Sequence, residues 1–187
     1  MMKPYQLALA LLLPAQAMAA ESVHFTFDGL DSVLMPLEIV SLDLVGTYSG
    51  PNTVVGGGVD IGFNSAVAQV LSVTLVAPHG IAESTGTINN VAGTVTDIGF
   101  ADFGGVSGTF TLATVQFQAL APGFSPLTLV ASSNPVWAWG NDVAPDFTVE
   151  SITSDTGSIT VVPEPETWAM LLAGLSLVGL RVARRKT

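Results

Sequence analysis

The sequence predicts an all-β domain, a sandwich or barrel of nine or ten short strands, held between two terminal segments of different character. Three observations lead there. The interior is rich in Val, Thr, Ser, Gly, Ile and Phe, and its apolar residues recur in short alternating runs. Gly, Pro, Asn and Asp break those runs at the regular spacing of sandwich strands. Between residues 21 and 162 no stretch keeps a 3.6-residue period over three turns, and no internal repeat is visible.

The runs follow in order. Val23, Phe25 and Phe27 alternate, which places His24 on the opposite, solvent-facing side. Residues 37–47 form the next run, and residues 48–52 (Tyr-Ser-Gly-Pro-Asn) have turn composition. Residues 54–63 carry Gly56-Gly57-Gly58, a bulge or a strand start. Asn64-Ser65-Ala66 turns the chain into residues 67–76. Runs at 85–90, 94–100, 108–119, 125–132 and 147–162 complete the set.

The two ends read differently. Residues 1–20 have the form of a secretory signal peptide: Lys3, an apolar stretch over 7–13, Pro14, then the small-x-small site Ala17-Met18-Ala19. Cleavage after Ala19 or Ala20 leaves a mature domain over 21–162. The other end, 163–187, has three parts. Pro163-Glu164-Pro165 is stiff and expected to be extended, accessible backbone. An uncharged, mostly apolar run over 167–180 follows, a helix of about 21 Å at ~1.5 Å per residue. It is expected to be a single transmembrane helix. It is short for a hydrocarbon core of about 30 Å unless Arg181 snorkels. Arg181, Arg184, Arg185 and Lys186 end the chain, and such cations stay cytoplasmic.

Charge excludes whole classes of partner. All five Lys and Arg lie at position 3 or beyond 180, and thirteen of the fifteen carboxylates lie between 21 and 155. The mature domain thus contains no Lys or Arg. Nucleic acid is excluded as a partner, because phosphate binding needs those cations. The absence of cysteine removes disulfides, thiol catalysis and Cys-ligated zinc.

Few constellations carry chemistry. In a strand, Trp137 and Trp139 point to one face, and with Asn141 and Asp142 nearby they form a candidate platform for sugar rings or a protein partner. The alternative places both rings in or at the end of the core. Asp97 with Asp102, and Asp142 with Asp146, are carboxylate pairs of the sort glycosidases use, but solvated loop acids explain them better. No nucleophile elbow, phosphate loop or zinc-protease motif is present, and no catalytic residue or cofactor is expected. Loop oxygens at Asp28-Gly29-Leu30-Asp31 and at Asn141-Asp142 are candidate calcium ligands, although the EF-hand pattern is missing.

The tail Val162-Pro163-Glu164-Pro165-Glu166-Thr167-Trp168, with its short apolar run and terminal Arg cluster, resembles the PEP-CTERM sorting signal of Gram-negative bacteria. The resemblance implies processing by an exosortase, a membrane-embedded cysteine transpeptidase that cuts at or near the tripeptide. It also implies an exported protein of the cell envelope or extracellular matrix, in bacteria that make exopolysaccharide and biofilm. Residues 58–73 and 107–119, the latter with Ala113, Val115, Phe117 and Ala119 on one face, resemble the cohesin domain. That implies a jelly-roll sandwich of about nine strands related to some carbohydrate-binding modules. Cohesins of cellulosomes bind dockerin modules through one sheet face. The expected function is a non-catalytic binding or structural module with an envelope protein or polysaccharide as partner; the alternative is carbohydrate binding through Trp137 and Trp139.

Overall fold

The computed structural model describes residues 20–29, 31–76, 80–142, 149 and 151–184. The expected signal peptide lies outside the described residues except for Ala20.

Two sheets pack face to face. One has the order β11 (Ser151–Ser154), β1 (Ser22–Asp28), β3 (Ile39–Ser49), β8 (Gly108–Ala119) and β5 (Ala68–Leu75). The other has the order β2 (Asp31–Leu34), β12 (Gly157–Val161), β9 (Gly123–Ala131), β4 (Val54–Gly62), β7 (Thr94–Val106) and β6 (Ala82–Asn89). The two-residue strand β10 (Gly140–Asn141) also pairs with β4. The all-β sandwich expected from the sequence is therefore observed, with β6, β7 and β9 longer than their sequence runs and β4 and β5 shorter.

The ends of the chain close the sandwich. β1 pairs parallel with β11, and β2 pairs parallel with β12. Of the single run expected over 147–162, residues 147, 148 and 150 lie outside the described residues and the rest is divided between the sheets: β11 joins one, β12 the other, and the Asp155 amide is anchored on the Phe25 carbonyl at the crossing. Alternation along one segment does not reveal that its two halves serve different sheets, because both keep the same period.

The alternating residues meet inside. Val23, Phe25, Phe27, Leu42, Leu44, Val115 and Phe117 from one sheet face Val59, Ile61, Ile98, Leu127, Leu129 and Ile159 from the other, all buried. Phe27, Phe63 and Phe117 form one edge-to-face cluster. Phe25, Phe100, Phe110 and Trp139 form a second. This core stands without disulfides.

Beyond Val161 the chain makes a short strap and then α1 (Pro165–Arg184). Among the described residues no helix is long and apolar enough to cross a membrane. The expected span is thus met only in part: the helix forms, but Glu166, Arg181 and Arg184 lie within it and its uncharged interior stays at about 21 Å. Trp168, Met170, Leu172, Leu175 and Leu177 are all exposed.

Candidate functional site

The tail begins at a defined point. Val161 is the last residue of β12 and is buried, and the Val162 amide donates to the Leu34 carbonyl at 2.8 Å. Only Pro163 and Glu164 then separate the sandwich from α1. The expectation that Pro163 to Pro165 are all extended needs correction, because Pro165 is the first helical residue. Its missing N–H would find no intrahelical acceptor there, and its fixed φ suits a helix start. Glu164 is exposed and Pro163 half-buried.

The two tryptophans are separated, not paired. Trp137 ends a single 3-10 turn, Pro135–Trp137, whose start is capped by the Asn134 side chain on the Val136 amide. The segment 132–139 loops away from the edge of β4 and returns at β10. Trp139 enters the core at 6% exposure, lies against Phe25 with ring centroids 5.0 Å apart, and donates its indole N–H to the Gly58 carbonyl at 2.8 Å. Trp137 covers Gly58 and Gly99. The expected platform is therefore corrected: the residues lie in a loop, where the period-two rule of strands does not apply. The glycine triplet is the signal for this arrangement. A Cβ on Gly57 would sit 2.1 Å from the Trp139 ring, and one on Gly58 would sit 2.6 Å from Trp137 Cβ. Gly57→Ala is expected to destabilise the domain by ~1–3 kcal/mol through overpacking, read as a lower urea midpoint at unchanged slope.

A buried polar cluster joins the residue before β1 to this loop. Glu21 is buried, and its carboxylate accepts from the side-chain amides of Asn52 and Asn141. Nothing local in the sequence marks these partners, which lie 31 and 120 residues from Glu21. Burial first, and then the negative charge of Glu21, hold the neighbouring Tyr48 phenol above its ordinary range. A raised folded-state pKa favours the neutral phenol, so the unfolded chain releases this proton first. Stability is full below about pH 10 and falls as pH rises beyond it. Alkaline titration of stability should be flatter in Tyr48→Phe than in wild type.

Four of the acids named for catalysis and calcium, Asp31, Asp97, Asp102 and Asp142, have structural partners. Asp97 accepts from the Ser132 hydroxyl at 2.6 Å, and Asp102 caps the Gly104 amide at 2.9 Å. Asp146 lies outside the described residues. Asp31 accepts from Ser158, and Asp142 from the Thr53 amide. Among the described residues no three His, Cys, Asp or Glu side chains converge as a metal site. His24 faces outward, bridging Thr153 and Asp155 at 2.9 and 3.1 Å. A cleft of about 190 Å³ over Phe25, Val59, Leu129 and Ile152 is small beside the ~300–1,000 Å³ of typical ligand sites.

The outer face of β3, β8 and β5 has a different character. Gln69 donates to Gln118 at 2.7 Å, Ser72 to Gln116 at 3.1 Å, and Thr114 to Asp43 at 2.6 Å. Thr47 and Thr109 meet at 3.2 Å. These cross-strand pairs make a polar lattice in which Asp43 is the one charged member.

The family model described as the PEP-CTERM protein-sorting motif matches residues 161–186. No curated protein matches the chain. Among solved structures, the seventh ScaB type I cohesin from Pseudobacteroides cellulosolvens is similar with a TM-score of 0.58 at 10% identity, over 76% of this chain and 93% of that one. A type I cohesin–dockerin complex from Clostridium thermocellum matches with a TM-score of 0.58 at 10% identity, over 75% and 99%. The third ScaC cohesin from Acetivibrio cellulolyticus, in complex with the ScaB dockerin, matches with a TM-score of 0.54 at 14% identity, over 76% and 99%. The chain carries a PEP-CTERM protein-sorting motif behind a β-sandwich with the cohesin fold.

Proposed function

We propose that this is an exported, non-catalytic binding or structural module, delivered to the envelope or extracellular matrix of a Gram-negative bacterium and processed by an exosortase at its C-terminal signal. One observation carries the reading. The sorting motif starts where the last buried strand ends, so cutting near Pro163-Glu164-Pro165 removes no residue of the core. Before processing, α1 is held in the inner membrane with its Arg-rich end cytoplasmic. A helix that exposes apolar residues on several sides suits a lipid or protein surrounding better than water. The intact mass of the protein made in its own host tests this. A mature species ending near residue 163 is expected, and one ending at Thr187 refutes processing.

The cohesin fold and the dockerin complexes of its structural neighbours favour a protein partner for the sandwich. We assign that partner to the polar outer face of β3, β8 and β5. A Thr114→Arg/Gln116→Arg domain should stay folded and lose capture of the envelope or matrix partner that wild type retains. Equal capture by both would move the site elsewhere.

A further inference from the structure

At one end of the sandwich, three of the four turns have apolar tips. At this end β2 and β12 finish, β3 and β9 begin, and the tail departs. Four turns close there: those between β2 and β3, between β6 and β7, and between β8 and β9 present Leu37, Val91 and Leu120 at 70%, 92% and 36% exposure, and the one between β4 and β5 presents Asn64, Ser65 and Ala66. Met35, Phe124 and Val162 are exposed beside them. The turns are tied into one rim: the Leu37 amide donates to Ala119, the Leu120 amide to Val67, and the Asn64 side chain to the Phe124 carbonyl. Single exposed apolar residues are ordinary, but turn tips are the positions that most favour polar residues.

Leu37 is the sharpest case. Its backbone is left-handed at φ 71°, where glycine or asparagine is at ease and leucine is strained. Its amide and carbonyl are both held, by Ala119 and by the Gln118 side chain. The strain serves no packing, since the side chain points into solvent. Glu38 is the only charged residue in these three turns, and its carboxylate is occupied by the Met35 amide at 2.7 Å.

The position of the tail says what covers this rim. Residues 162–164 link β12 to α1, and three residues reach at most about 11 Å. With α1 in the membrane, the rim is held at the bilayer surface. We propose that Met35, Leu37, Val91, Leu120, Phe124 and Val162 form a collar that seats the domain on the apolar boundary of the lipid headgroups before the tail is cut. This rests on the membrane-held tail proposed above. The occupant is uncharged or zwitterionic lipid, because a domain without Lys or Arg has nothing to pair with anionic headgroups.

The chain has no cysteine, so single labels report cleanly. Spin labels at Leu37→Cys, Val91→Cys, Phe103→Cys and Leu172→Cys would be compared in the full chain reconstituted in phosphatidylcholine nanodiscs. Phe103 is 81% exposed and lies toward the opposite end, late in β7. The collar predicts that the labels at 37 and 91 lose at least half of their accessibility to a water-soluble relaxation agent, relative to the label at 103. A shielded label at 172 with fully accessible labels at 37 and 91 overturns the collar and leaves the anchored tail standing. An accessible label at 172 overturns both. Equal shielding at 37 and 91 without lipid assigns the rim to self-association and overturns the lipid seat.

Discussion

Trp139→Ala should cost the 21–162 domain ~3–5 kcal/mol, a large part of the ~5–15 kcal/mol that holds a domain of this size together. The ring is 94% removed from solvent contact by its neighbours, being 6% exposed, and it joins Phe25 and Phe100 across the two sheets. Truncation leaves a cavity bounded by Gly57, which has no side chain to move into it. It also strips the Gly58 carbonyl of the indole N–H. Trp137→Ala should cost clearly less, because that ring is half-buried and covers the sheet from outside. Urea unfolding followed by circular dichroism checks both variants. A larger loss for Trp137→Ala would mean that the two rings are exchanged between core and surface.

Replacing Pro163, Glu164 and Pro165 together by Ala is expected to abolish processing while export continues. In wild type the strap offers an exposed Glu164 between a β-strand and a helix that starts at Pro165. Alanine is the best helix former and removes the extended bias on Glu164, so α1 can propagate back toward Val162 and draw the strap into helical hydrogen bonds. The outcome in the native host should be all or none: processed protein for wild type, full-length protein retained in the inner-membrane fraction for the variant. Fractionation with intact mass decides it. A variant processed as fully as wild type would show that the tripeptide is not what the processing enzyme reads. Because β12 ends at Val161, the thermal unfolding of the sandwich should be the same in both.

Much of this protein is determined by its sequence alone. Strand positions follow from period-two burial, which is local: Val23, Phe25 and Phe27 face inward because each is two residues from the next. The order of sorting motif, apolar run and basic end is linear, and so is the confinement of every Lys and Arg to the two ends. What depends on residues far apart in the chain was decided only by the tertiary structure. Strand pairing placed β11 and β12 in different sheets. Trp137 and Trp139 came apart because the loop carrying them crosses the edge of β4, where Gly57 and Gly58 leave room on opposite faces. The apolar rim around the tail is assembled from turns up to 127 residues apart, since Met35 and Val162 become neighbours only when β2 pairs with β12. Local period and composition act through neighbours in the chain; burial, close approach and shared ends arise only once the sheets have closed.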